Sequence, residues 1–185
     1  MKKNILIILI LVTITFAERA NTNRIGTEAA ISNWSLVGPI DSENNHSKIL
    51  DIILENGIGN DSVFIHDGKN YLIKDASTSG EFNFIGQLYS NLNENDYVIG
   101  VAEVFSTKDT EIAISNVFYQ TKSQLVYLNG EEIYKKFEQS KGIFRKKIKK
   151  GKNQLIVSLK NSDHFGFGFF MVDENRVEMT FQFVD

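Results

Sequence analysis

Apolar and polar residues alternate with a period of two through much of this chain, which is the pattern of β-strands with one buried face. The clearest example is segment 125–134, where two alternating runs flank Asn129-Gly130. An Asn-Gly pair in this setting predicts a two-residue type I′ hairpin turn, because both central residues need a positive φ. Asp67-Gly68 predicts a second hairpin for the same reason.

The same pattern predicts further strands along the chain. Tyr97–Ser106 is almost continuously apolar, which predicts burial on both faces, Phe105 included. Trp34 alternates with Leu36 and is predicted to be a core residue on a strand that ends at Gly38-Pro39. The remaining predicted strands are Glu81–Leu88, Glu111–Phe118, Ile143–Ile148, Gln154–Leu159, Phe165–Val172 and Val177–Val184.

Between Asp41 and Asn56 the apolar period changes to that of a helix. Ser42 and Ser47 are both able to cap it, and Gly57 is a suitable stop. We predict one short helix, Ser47–Asn56, with a loop followed by a strand as the alternative. His46 is then expected in a solvated loop before the helix.

Many short strands, turn signals between them and a single helix predict an all-β fold, an antiparallel β-sandwich of jelly-roll type. The predicted organisation is a signal peptide at 1–17, a lead at 18–30 and one β-sandwich domain at 31–185. The signal peptide is indicated by Lys2 and Lys3, an apolar run and cleavage after Ala17. We therefore expect a secreted or periplasmic protein without a membrane anchor; an uncleaved N-terminal anchor is the alternative.

Composition narrows the chemistry. The 185 residues contain no cysteine, which excludes disulfides, zinc-thiolate sites and thiol catalysis. The formal net charge is −3, and the basic run Arg145–Lys150 has the pattern of the solvated face of a strand. We therefore predict no nucleic-acid partner.

No motif identifies a reaction. The three histidines are far apart in sequence, and no nucleophile elbow, phosphate loop or zinc-protease pattern occurs. The oxygen-rich segment Asn91–Asp96 fails the calcium-loop pattern, because its sixth position is Asp96 rather than glycine. We predict no enzyme activity, no cofactor and no metal site; a triad that includes His164 stays open as an alternative.

Several of these segments together resemble the galactose-binding-like jelly-roll modules, which accompany secreted bacterial glycoside hydrolases. The resemblance covers residue 31 to the end of the sequence and implies a carbohydrate-binding-module-like domain. In place of the acidic, glycine-containing turn of many such modules, segment 119–123 has no carboxylate and no glycine. This difference argues against a calcium-dependent or typical sugar site. The segments that carry the resemblance are Trp34-Ser-Leu-Val-Gly-Pro39, the strand pair around 110–118, Val126-Tyr-Leu-Asn-Gly-Glu131, Ile148-Lys-Lys-Gly-Lys-Asn-Gln-Leu-Ile-Val157 and Gly166-Phe-Gly-Phe169.

The function predicted from these observations is that of a secreted, non-catalytic binding module for carbohydrate on a polysaccharide or cell surface. The alternative is a structural or protein-interaction subunit of a bacterial surface assembly, and a small secreted hydrolase comes third. Residues near predicted strand ends are the candidate contacts, with ordinary solvated loops as the other interpretation. These candidates are Tyr119, Gln120, Lys122, His164 and Phe165.

Overall fold

The computed structural model describes residues 23–24, 28–31, 33–59, 63–77, 83–119, 123–136, 141–160 and 164–171. The predicted signal peptide and the predicted strand Val177–Val184 lie outside these ranges. Within them the chain forms thirteen strands and two helices. In chain order these are β1 (Asn23–Arg24), β2 (Glu28–Ala30), β3 (Asn33–Ile40), α1 (Glu43–Asn56), β4 (Val63–His66), β5 (Lys69–Ser77), β6 (Asn83–Phe84), α2 (Ile85–Leu88), β7 (Tyr97–Ser106), β8 (Thr110–Tyr119), β9 (Ser123–Leu128), β10 (Glu131–Lys136), β11 (Lys141–Ile148), β12 (Gly151–Lys160) and β13 (His164–Met171).

The described strands form two sheets. The large sheet has the order β10-β9-β12-β7-β3-β5-β4, with antiparallel neighbours throughout and β1 parallel to β7 beside it. The small sheet has the order β11-β8-β13-β2, and β6 also pairs with β13. This arrangement confirms the predicted all-β sandwich. In the described ranges no helix is long and apolar enough to span a membrane.

The inner core lies between the two sheets. Trp34 is 1% exposed there, as predicted, and its Nε1 donates a hydrogen bond to the carbonyl of Ile31. Ile112 and Ile114 of the small sheet pack against Leu155 and Val157 of the large sheet in the same cluster. Each such fully buried aliphatic side chain stabilises the fold by roughly 2 kcal/mol.

A second core lies on the outer face of the large sheet, where α1 covers it. The buried side of the helix consists of His46, Ile49, Leu50 and Ile53. These residues pack on outward-facing residues of the central strands, which explains why β7 and β12 are buried on both faces over most of their length. The outward residues covered in this way include Val37, Tyr71, Ile73, Tyr97, Ile99, Val101 and Ile156.

Both predicted hairpin turns are confirmed. Asn129 and Gly130 have φ of 52° and 82°, and Asp67 and Gly68 have φ of 46° and 73°. Positive φ at both central positions is the requirement of a type I′ turn. Arg145 and Lys147 are exposed on β11, in agreement with the predicted solvated face.

Three local predictions are wrong. The helix begins at Glu43 because Ser42, rather than Ser47, accepts the capping hydrogen bond from the Asn45 amide. Segment 81–88 is not one strand, since its described part forms β6 followed by α2. Strand β3 does not end at Gly38-Pro39; it continues to Ile40 through a shift in register against β7.

Candidate binding site

The outer face of the large sheet is buried beneath α1 and becomes exposed to solvent where the helix ends. On β7 the outward residues Tyr97, Ile99 and Val101 are buried, whereas Glu103 is partly exposed and Phe105 is 37% exposed. The inward residues of the same strand stay buried to its end. The helix therefore covers only the first part of the strand, and the prediction that Phe105 is buried is wrong.

The position of the helix end explains this boundary. The Gly57 amide donates a hydrogen bond of 2.8 Å to the Ile53 carbonyl and closes α1 with a φ of 73°. A Cβ at Gly57 would lie 3.6 Å from Nε2 of Gln154, so the helix ends above Gln154 on β12. Glycine suits this position because residues that carry a Cβ rarely adopt a positive φ.

The open part of the sheet carries an aromatic ring among charged and amide groups. Lys152 is the Cα partner of Phe105, and Gln154 is the partner of Glu103. Lys152 Nζ lies 3.3 Å from Glu103 Oε2, with the two side chains 49% and 44% exposed. We refer to Glu103, Phe105, Lys152 and Gln154 as the Phe105 face.

The Phe105 face has the chemical elements of a shallow binding surface. An exposed ring offers an apolar platform, and the carboxylate, ammonium and amide offer acceptors and donors at its side. The strands that carry these groups are held by a continuous antiparallel ladder from Gly151–Ser106 to Lys160–Tyr97. The spacing of the four Cα positions is thus fixed by strands rather than by a loop.

A second polar cluster lies under the other end of α1. His46 stacks on Tyr97 with ring centroids 4.2 Å apart, and its Nε2 is 2.5 Å from Oγ of Ser158. Burial, with a smaller contribution from the positive charge of Lys160, lowers the pKa of His46 from 6.5 to about 4. The expectation of a solvated histidine is wrong, because the helix starts early enough to place His46 on its buried side.

This cluster pairs a hydroxyl with an imidazole, as nucleophilic catalysis requires, but the pair is closed to substrate. Ser158 is 2% exposed and His46 is 6% exposed. His46 is on the buried side of α1, and Ser158 contacts it from β12. Their hydrogen bond therefore satisfies two buried polar groups and fixes the helix on the sheet.

The candidate residues chosen from sequence lie elsewhere in the sandwich. Tyr119 is the last residue of β8 and His164 the first of β13, and the register makes them Cα partners. Phe165 follows as the partner of Phe118, while Gln120 and Lys122 lie outside the described residues. This group is at the end where β7 begins, whereas Phe105 is at the end where β7 finishes.

Sequence reasoning missed the Phe105 face because the run Val98–Phe105 is mainly apolar. The signal that could have found it is Glu103, which interrupts the outward-facing positions, together with Lys152 and Gln154 on the partner strand. In the described part of the chain no group of three or more acidic or histidine side chains is arranged to hold a metal ion.

Comparison with known proteins finds likeness in fold. No protein-family model matches the sequence, and no curated protein matches it. A β-glucosidase from Kluyveromyces marxianus superposes with a TM-score of 0.51 at 10% identity, over 78% of this chain and 17% of that protein. This match shows that the fold is shared with part of the β-glucosidase.

Two further solved structures are similar at lower scores. A β-glucuronidase from Ruminococcus gnavus matches 77% of this chain and 23% of its own, with 12% identity and a TM-score of 0.48. A family 35 carbohydrate-binding module from Clostridium thermocellum matches 43% of this chain and 75% of its own, with 11% identity and a TM-score of 0.34. A carbohydrate-binding module is thus among the solved structures similar to this chain, as the resemblance predicted. The chain spans less than a quarter of either glycosidase.

Proposed function

We propose that this chain is a non-catalytic carbohydrate-binding module and that the Phe105 face is its binding surface. The observation that carries the proposal is the exposed Phe105 ring on a rigid sheet beside the Glu103–Lys152 ion pair. A sugar ring has an apolar face of C–H groups and a rim of hydroxyls. Such a ligand stacks on an aromatic side chain while a carboxylate accepts and an ammonium donates hydrogen bonds at the rim.

The open shape of the surface favours a polymer over a small free ligand. Small-molecule sites are usually concave and enclose most of the ligand. The Phe105 face is instead the uncovered part of a sheet, with Phe105 exposed beyond the end of α1. A chain of sugar residues can lie along such a surface and make contacts on both sides of Phe105. We include export in the proposal, because segment 1–17 has the pattern of a signal peptide.

The burial of the hydrogen-bonded pair His46 and Ser158 supports a binding role rather than a hydrolytic one. The hydroxyl of Ser158 is covered by α1 and has no route to a scissile bond. Two carboxylates arranged across an open cleft would be needed for glycoside cleavage. Glu103 is instead engaged by Lys152 on the exposed part of the sheet.

A protein-interaction role is the second candidate, and one observation favours it. Ile65 is 70% exposed and Leu72 is 50% exposed, and the register of β4 with β5 places them on the same face at the edge of the large sheet. Exposed apolar residues that are neighbours on one face are typical of interaction surfaces. In this alternative the chain is a subunit of a surface assembly.

A glycan array with the full chain and two variants separates these roles. We expect binding to at least one polysaccharide, its loss in Phe105→Ala, and its retention in Ile65→Ala, which removes a more exposed apolar residue elsewhere. Tyr119→Ala tests the site chosen from sequence and is expected to bind normally. Binding that survives Phe105→Ala contradicts the proposed surface, and loss in Tyr119→Ala would move the site to the opposite end of the sandwich. An array without any bound glycan contradicts the carbohydrate role.

A further inference from the structure

Phe105 has basic residues at the register positions on both sides of it. Lys152 on β12 is its Cα partner on one side, and Arg24 on β1 is its Cα partner on the other. Lys152 is exposed, and its ammonium lies in the same open surface as the ring. The aromatic residue of the Phe105 face thus has a basic residue at the register position on each side.

More basic residues lie in the two turns at this end of the sheet. Ser106 is the Cα partner of Gly151, so the turn after β7 and the turn before β12 are adjacent. The amide of Lys150 donates a hydrogen bond of 2.6 Å to Oδ1 of Asp109, which joins the two turns. Exposed side chains here are mainly basic: Lys108, Lys149 and Lys150 against Asp109.

This excess of positive charge is local, because the chain as a whole has a formal net charge of −3. A basic surface on a net acidic protein attracts a ligand with negative charge over a short range and repels it elsewhere. Glu103 is the acidic group of the Phe105 face, and it is 3.3 Å from Lys152. Within this ion pair the two charges offset each other, so the excess of positive charge at this end of the sheet comes from Lys108, Lys149 and Lys150, which outnumber Asp109.

We propose that the glycan bound at the Phe105 face is anionic and carries a carboxylate or sulfate group on its sugar rings. This inference rests on the proposed carbohydrate-binding function. One sugar ring stacks on Phe105, and the anionic group of that ring or its neighbour pairs with Lys152. Glu103 positions the ammonium and accepts a hydrogen bond from a sugar hydroxyl. A carboxylate and a sulfate make the same charge-assisted contacts, so the two sources are separated by experiment.

A nucleic acid is also an anion with stackable rings, but the Phe105 face fits it less well. Proteins that bind single strands use successive aromatic residues along a basic groove. Here Phe105 stands alone among the exposed large apolar residues of this surface in the described chain.

The test compares polymers that differ in charge. Isothermal titration with the full chain uses polygalacturonic acid, its fully methyl-esterified form as the neutral control, heparin as the sulfated arm, and single-stranded DNA. We expect polygalacturonic acid or heparin to bind about tenfold or more tightly than the methyl ester, since one exposed charge-assisted contact is worth about this factor. Raising the salt concentration is expected to reduce the difference.

Two variants then test whether Lys152 supplies the positive charge that favours the acidic polymer. In Lys152→Gln the preference for the acidic polymer is expected to fall to about threefold or less, with less loss for the methyl ester. Lys48→Gln is the matched control, because Lys48 is an exposed lysine that pairs with Asp67 away from this surface. It is expected to bind as the unaltered protein does.

The outcomes distinguish this inference from the proposed function. Equal affinity for polygalacturonic acid and its methyl ester, lost in Phe105→Ala, overturns the anionic ligand and leaves the carbohydrate site standing. A preference that Lys152→Gln leaves intact also overturns it. Tighter binding of single-stranded DNA than of any glycan overturns both. The absence of binding to all four polymers overturns the anionic ligand, and the glycan array then decides the carbohydrate role.

Discussion

Asn129 Nδ2 donates a hydrogen bond of 2.9 Å to Oδ1 of Asn153, which joins the β9–β10 hairpin turn to β12. Asn153 is 2% exposed. Its Nδ2 donates to the carbonyls of Lys149 and Gly151, and its Oδ1 also accepts from the Lys149 amide. One buried amide thus ties the hairpin to the turn that precedes Lys152 and so supports the Phe105 face.

Asn153→Ala is expected to destabilise the fold by about 3 kcal/mol, because it leaves several buried backbone and side-chain groups without partners. Urea denaturation measures the change. Asn95→Ala is the control, since Asn95 is exposed in a surface turn and is expected to change stability by no more than about 0.5 kcal/mol. Equal midpoints for the two variants would contradict the proposed role of Asn153.

Gly130→Val is expected to cost about 1 to 3 kcal/mol through backbone strain alone. Gly130 has a φ of 82°, and a Cβ built there meets no atom within 4 Å, so the added Cβ itself makes no steric clash. Thermal melts compare it with Glu131→Val, which places the same side chain at the next, extended position of β10. If Glu131→Val lowers the melting temperature as much, the turn conformation is not the cause.

The stability of the protein is expected to fall as the pH is lowered from 6.5 to 4. In the folded state the pKa of His46 is about 4, whereas in the unfolded chain it is 6.5, so between these values the unfolded state binds the extra proton. The contribution is fully present above pH 6.5 and is lost as the pH falls to 4. Its size is about 3 kcal/mol, from 1.36 kcal/mol for each pH unit.

Urea denaturation between pH 4 and pH 7 tests this dependence when the unaltered protein is compared with His46→Gln. The carboxylates titrate alike in both proteins, so the difference between the two pH profiles isolates His46. We expect the variant to have the flatter profile. Parallel profiles would show that His46 is not buried in its neutral form.

The sequence predicted the elements whose signals are local. Asn129-Gly130 and Asp67-Gly68 specify their turns through the φ values that they tolerate, and Trp34 lies in the core that its alternation indicates. The predicted start of the helix was wrong because Ser42 and Ser47 are equally good caps by residue type. The prediction of a strand at 81–88 was wrong because a short apolar run does not distinguish a strand from a helical turn.

The candidate site could not be predicted from local sequence patterns, because it depends on where a distant helix ends over the sheet. Phe105 is exposed because α1, more than 45 residues earlier in the chain, ends at Gly57 above Gln154. Apolar character alone predicted burial, and only the packed position of the helix reveals which part of β7 stays open. The residues chosen near strand ends, such as Tyr119 and His164, do become neighbours in register, but whether they bind a ligand stays a prediction.

The most direct test of the binding surface is an amide chemical-shift titration of the isotopically labelled full chain with an oligosaccharide of the polymer that it binds. We expect the largest shifts on residues 103–106 and 152–154, with Ile65 and Leu72 unaffected. Shifts centred on Tyr119 and His164, or shifts absent from both strand segments around Phe105, would contradict it.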